Sequence, residues 1–217
     1  MKQKKTLAYN SAKKKKILIG CVIGGCLLIG LSVGLSIGLT RRHHNFGSIT
    51  LNNGEQITVR NATDFNQLCN NAPSNSEITV NGTKFKKNDL SGFTFGPEFN
   101  LGIIGNNFLC NCTSFNQPLT IPHSVDNIGE HFLAGCVSFN KMLSISYSVD
   151  EIGEGFLAEC ESFNQPLTVP DGVDYIGAYF LALTAFNQPL AIPNSVKAIG
   201  ERFLFGCADF NQSLTIP

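Results

Sequence analysis

Four cysteines, Cys112, Cys136, Cys160 and Cys207, recur at one phase of an internal period, with Thr184 at that phase in a fifth copy. Thiolates at regular spacing can build zinc sites or disulfides, and counterparts one strand apart, about 4.8 Å, stand within reach of a bridge. No histidine joins them at zinc-finger spacing and Thr184 interrupts them, so they read as buried thiols packing like small hydrophobes. Cys69 and Cys110 fall outside the column. Asp126, Asp150 and Asp174 form an acidic column ended by Lys197; such carboxylates either splay into water or share a cation such as calcium. Asn116, Asn140, Asn164, Asn187 and Asn211 form an unbroken column. Their amides carry donors and an acceptor, so they read as a structural ladder. His43, His44, His123 and His131 are scattered; His131 and Cys136 offer a His–Cys combination, but no third group orients it for nucleophilic catalysis. P-loop, dinucleotide, HExxH and GxSxG patterns are absent. The expectation is therefore no enzyme, no cofactor and no metal.

Three other columns vary in side-chain type. His123, Tyr147, Asp171 and Asn194 share one, Asn127, Glu151, Tyr175 and Ala198 a second, and His131, Gly155, Tyr179 and Arg202 a third. Unlike side chains in rows on a regular scaffold are what an extended recognition surface needs, and these are the candidate partner-binding residues.

Rows require a repeat to position them. The copy SFNQPLTIPHSVDNIGEHFLAGC is followed at once by another SFN. Its marker aromatic recurs at Phe115, Phe139, Phe163, Phe186 and Phe210, spaced 24 residues apart except for one interval of 23. Ile-Gly pairs run in phase from Ile104-Gly105 to Ile199-Gly200, each followed by Phe-Leu, as at Phe132-Leu133. A unit this short cannot bury its own apolar face and must stack into a solenoid. Leu119-Thr120-Ile121 reads as a short strand stopped by Pro122, Val125 to Gly129 as a second extended segment, and Glu130 to Cys136 as a tight helical turn.

The combination Ile121-Pro122, Ser124-Val125, Ile128-Gly129, Phe132 and Cys136, repeated at Ile192-Pro193, Ser195-Val196, Ile199-Gly200, Phe203 and Cys207, resembles the leucine-rich repeats of the treponemal, or BspA-like, type. The resemblance covers about Phe93 to Pro217. The FNQP-containing arrays are similar to those of surface proteins in mycoplasma-like bacteria. This implies an α/β solenoid of short parallel strands and tight helical turns and, for bacterial members, a surface protein that binds host or neighbouring-cell components. The sequence departs from the family pattern in the FNQP segment, which lengthens the unit by one residue. It departs again in the copy from Phe139, where Met142 and Ser146 replace both prolines.

Ahead of the array, residues 41–92 read as a juxtamembrane segment and N-terminal cap, with a hairpin or two short strands over Ile49 to Val59 and a short helix over Thr63 to Asn71. The chain stops at Leu214-Thr215-Ile216-Pro217 within a repeat, without a C-terminal cap, which predicts a truncated product or a partner over that end.

Charge is split along the chain. Nine of the sixteen Lys and Arg lie at or before Arg42, and all sixteen Asp and Glu lie after it, so a zero net charge conceals a +9 head and a −9 body. The acidic body argues against nucleic-acid binding. Residues 1–16 hold seven lysines and read as a cytoplasmic tail; Ile17 to Thr40 carries no charge over 24 residues, about 36 Å as a helix, enough to cross a bilayer core of about 30 Å. Lysines before the span and only Arg41 and Arg42 after it predict a single-pass signal anchor with the repeats outside the cell. A cleaved signal, or lipidation at Cys26, remains the alternative; the uncharged run continues well past Cys26, which favours the uncleaved anchor. Gly30, Gly34 and Gly38 form a small-residue stripe suited to helix self-association. The expected function is a membrane-anchored cell-surface repeat protein that binds an extracellular protein or glycan in adhesion or host interaction. The alternatives are a structural or antigenic coat protein without a specific ligand, or a fragment of a longer surface protein.

Overall fold

A chain that turns three corners in about 24 residues places each residue over its counterpart one coil earlier, and backbone groups then bond between coils. The computed structural model describes residues 44–217. Its repeats form a parallel five-stranded sheet in the order β13-β11-β10-β8-β6, with β6 Gly102–Ile104, β8 Val125–Ile128, β10 Glu151–Ile152, β11 Tyr175–Ile176 and β13 Ala198–Ile199. A second side carries two-residue strands that begin with Leu, β7 Leu119–Thr120 on β9 Leu143–Ser144 and β12 Leu190–Ala191 on β14 Leu214–Thr215.

The Ile-Gly column shows why this register is obligatory. The N–H of Gly153 donates to the carbonyl of Ile128 at 2.8 Å, and Gly177 repeats the bond to Ile152 at 2.8 Å. A Cβ on Gly153 would lie 2.6 Å from the carbonyl carbon of Gly129, closer than real side chains approach backbone, so only glycine admits this contact between coils.

The third side corrects the α/β expectation. Glu130 to Cys136 is not a helical turn, and among the described residues helix is confined to α1, Ala62–Asn66, and a 3-10 turn at Lys87–Asp89, both ahead of the repeats. At His131, Leu133 and Gly135 φ is +56°, +56° and +71°, and positive φ recurs at every second residue in the other copies. A helix needs uniformly negative φ and bonds within its own segment. Here the alternation turns successive amides sideways: the N–H of His131 donates forward to Glu154 at 2.6 Å, that of Leu133 back to Phe108 at 2.9 Å, and that of Gly135 forward to Ala158 at 2.8 Å. The repeats are thus a β-solenoid.

Two phenylalanine columns fill the interior. Phe108, Phe132, Phe156, Phe180 and Phe203 stack with centroids 5.3–5.6 Å apart. Phe115, Phe139, Phe163, Phe186 and Phe210 stack at 5.4–6.1 Å. Phe132, Phe156, Phe163 and Phe180 have no exposed surface, and burying each stabilises the fold by about 1.5–3 kcal/mol. The interval of 23 residues falls where Thr184 occupies the cysteine column. In full-length copies the amide of the marker Phe donates to the cysteine carbonyl, as Phe163 does to Cys160 at 2.8 Å. In the short copy Phe186 donates instead to the Thr184 hydroxyl at 3.4 Å, and that hydroxyl donates to Leu181 O at 2.8 Å. Thr184 therefore compensates for the deletion, which spacing alone does not reveal.

Ahead of the coils, β1 Gly47–Leu51 pairs antiparallel with β2 Gln56–Val59, the hairpin of the two expected alternatives, and with β5 Leu90–Phe95. The helix is shorter than expected and starts under an Asn61 cap whose side chain accepts from Asp64 N at 2.9 Å. β3 Glu77–Val80 and β4 Thr83–Lys86 form a second hairpin. The basic head, the apolar run and its Gly30, Gly34 and Gly38 stripe lie outside the described residues. No helix among the described residues is long and apolar enough to cross a membrane.

Candidate interaction surface

Columns that point inward are structural. Cys136 Sγ donates to Leu109 O at 3.1 Å, Cys160 Sγ to Leu133 O at 3.1 Å and Cys207 Sγ to Leu181 O at 3.0 Å; none of the six described cysteines is in a disulfide. Burial pushes the Cys112 and Cys69 thiols up to about 12, and those of Cys136 and Cys160 well above the ordinary range. Cys136 is turned into the core and offers no nucleophile to pair with His131. The asparagine column is a continuous ladder: the side-chain oxygens of Asn116, Asn140, Asn164 and Asn187 accept from the backbone N–H of Asn140, Asn164, Asn187 and Asn211 at 2.8–3.0 Å. The aspartate column faces outward instead, with Asp126 and Asp150 exposed; Asp174 pairs with Lys197 at 2.8 Å, and no group of three or more potential metal ligands occurs among the described residues.

Columns that point outward stand in straight rows because the coils are in register. His123, Tyr147, Asp171 and Asn194 are exposed at the corner entering the five-stranded sheet. The His123 and Tyr147 rings lie 4.7 Å apart, and His123 Nδ1 is 2.6 Å from Ser146 Oγ. Tyr147 is 74% exposed, a high value for an aromatic side chain with so much apolar area. On the outer sheet face, Asn127, Glu151, Tyr175 and Ala198 are paired residue for residue. Asn127 Nδ2 donates to Glu151 Oε2 at 2.7 Å. Ile103, aligned with Asn127 and half exposed, heads this row, a member that sequence comparison of the later copies missed.

The third row occupies the positions of positive φ: 56° at His131, 68° at Gly155, 57° at Tyr179 and 60° at Arg202, led by Asn107 at 60°. The His131 ring leans over Gly155, whose absent side chain leaves it room. The Arg202 guanidinium lies 5.1 Å from the Tyr179 ring centroid, a cation–π contact that holds the ring.

His131 and Tyr179 form one wall of a groove of about 430 Å³ whose floor is Ala134 and Ala158 and whose opposite wall includes Asn111 and Glu159. Glu154 lines both this groove and a smaller depression of about 290 Å³ that reaches Asn127, Glu151 and Tyr175. Rows two and three therefore converge on Glu154, whereas neither hollow includes the row of His123 and Tyr147. Asn111, Glu154 and Glu159 were not singled out from sequence. The available signal was the Asn and Gly recurring at alternate positions, Asn107, Asn111, Gly135, Gly155 and Gly206, residues suited to positive φ. Cys110 also lines the groove; burial raises its thiol, nearby Lys87 lowers it and Glu159 raises it, with burial the largest effect.

Comparison with known families agrees with this geometry. A model described as BspA type leucine rich repeat region matches residues 78–211 in six copies, more than half of the chain. It starts earlier than the five copies visible from Phe93 and takes in β3 to β5, which pair antiparallel rather than as coils. No curated protein and no solved structure matches the chain.

Proposed function

Because the chain belongs to the BspA-type leucine-rich repeat family, we propose that it is a membrane-anchored cell-surface protein whose solenoid binds an extracellular protein or glycan in adhesion or host interaction. The observation that carries this reading is the contrast between columns. Core positions keep one kind of side chain in nearly every coil, while outward rows such as Asn127, Glu151 and Tyr175 change chemistry at every step on an unchanged backbone. A rigid scaffold with varied side chains presents a recognition surface at little ordering cost. The uncharged run from Ile17 to Thr40, flanked by seven lysines on one side, supports the anchor, and the −9 body beyond it supports an external partner that is not a polyanion.

Two measurements test this. Protease shaving of intact cells should remove the repeats and leave a fragment carrying the lysine-rich head; full protection would exclude surface display. The full-length chain in a detergent without sugar groups should bind an extracellular-matrix and glycan panel saturably. Absence of any saturable binding would favour the ligand-free coat.

A further inference from the structure

Building on that surface-binding reading, we propose that the groove between the His131–Tyr179 wall and the Asn111–Glu159 wall is a subsite for a neutral oligosaccharide. Its backbone is already spent. The amides of Asn107, His131 and Gly155 donate to the carbonyls of Glu130, Glu154 and Ala178 in the next coil at 2.6–2.8 Å. Along the other wall Asn111, Gly135 and Glu159 do the same to Ala134, Ala158 and Ala182 at 2.7–2.8 Å. An extended peptide would bring its own row of backbone donors and acceptors and meet no free edge, so β-strand addition is unavailable here. Recognition falls to side chains, and those present suit hydroxyls: carboxylates at Glu154 and Glu159 that accept, an amide oxygen of Asn111 lying over Gly135, and the edge of His131. Tyr179, partly exposed and held by Arg202, supplies a flat face for the C–H side of a sugar ring, and the alanine floor lets that ring approach. Two carboxylates in the walls repel sulfated or sialylated chains, which selects a neutral ligand.

The near end of the groove is built at a cost that packing does not explain. Lys87 is 1% exposed, and its ammonium donates to Asn70 O at 2.7 Å, Ala72 O at 3.2 Å and Asn70 Oδ1 at 3.2 Å, with no carboxylate among these partners. Burying a charge in this way is expensive, and what it secures is the loop from Asn70 to Ala72. The carbonyls of Asn71 and Ala72 accept from Asn111 Nδ2 at 3.4 Å each, so the buried cation fixes the loop, the loop orients Asn111, and Asn111 forms the wall.

The test titrates the full-length chain, in a detergent without sugar groups, with chito-, malto- and mannooligosaccharides and with sulfated and sialylated counterparts. Saturable binding of at least one neutral probe is expected. Tyr179→Ala and Glu159→Gln should each weaken it about tenfold or more without lowering the unfolding midpoint, and Met142→Ala, exposed but outside the groove and all three outward rows, should leave it unchanged. No saturation by any neutral probe to about 1 mM, preference for the anionic probes, or indifference to both groove variants would overturn the assignment. If a protein from the matrix panel binds and responds to Tyr147→Ala or Tyr175→Ala while no sugar binds, the glycan subsite falls and the surface-binding reading stands. If neither sugar nor protein binds, both fall.

Discussion

Asn164 shows what one side chain contributes to a coil-to-coil ladder. Its Oδ1 accepts from the Asn187 N–H at 2.8 Å and from Gln188 Nε2 at 3.1 Å, so Asn164→Ala strands a partly buried backbone donor. A loss of about 1–3 kcal/mol is expected, with faster hydrogen exchange at the Asn187 amide; exchange at the native rate would show that the ladder is incidental. The thiols predict a pH dependence. Cys69 and Cys112 keep their protons to about 12 when folded, whereas in the unfolded chain they ionise near the ordinary value of 9.0. Above pH 9 the folded state binds more protons than the unfolded one, so stability falls as pH climbs toward 12 and is insensitive to these groups below 9. Urea midpoints measured at neutral pH and at about pH 10.5 should differ in that direction, with less difference after Cys112→Ala. The columns of Asn and Cys were readable as structural from the sequence because each keeps one chemistry in nearly every copy. Thr184 was not, because its hydroxyl replaces a backbone carbonyl, an equivalence of position rather than of residue type.

At the scale of elements, strands and turns of this solenoid obey different constraints. The sheet strands are legible from Val-x-x-Ile-Gly because a short apolar run ending in glycine has few other homes. Gly153→Ala places a Cβ against the backbone of the preceding coil and should cost about 1–3 kcal/mol, read as a lowered unfolding midpoint. The turn side was misread as helical because Phe-Leu-Ala with a following cysteine has ordinary helix propensity. The signal against a helix is distributed, one Gly or Asn at a time, over copies in which other residues tolerate the strained φ. Leu183 is such a residue, with φ +57° and a side chain 46% exposed, at the position that Asn111 occupies in the first copy. Leu183→Asn relieves a conformation that costs leucine about 1–2 kcal/mol and should raise the midpoint; a lowered midpoint would mean that its contact over Gly206 outweighs the strain.

For the whole molecule, the zero net charge resolves into a +9 head and a −9 repeat body, and family membership places the body among BspA-type repeats. The three outward rows could be named from sequence because a fixed period assigns every residue a column. Their convergence could not, since it depends on how the coil folds its three sides together. Glu154 joins two hollows only because the sheet and the alternating-φ side meet at Gly153 and Gly155. The central claim is that variation on the outside serves binding while uniformity inside serves stacking. It is tested most directly by placing Tyr147→Ala, Tyr175→Ala and Tyr179→Ala in one full-length chain and measuring binding to the matrix and glycan panel alongside the unfolding midpoint. These rings sit one on each outward row and are partly or largely exposed. Binding reduced about tenfold or more at an unchanged midpoint is the predicted result. Undiminished binding by the triple variant would contradict the claim.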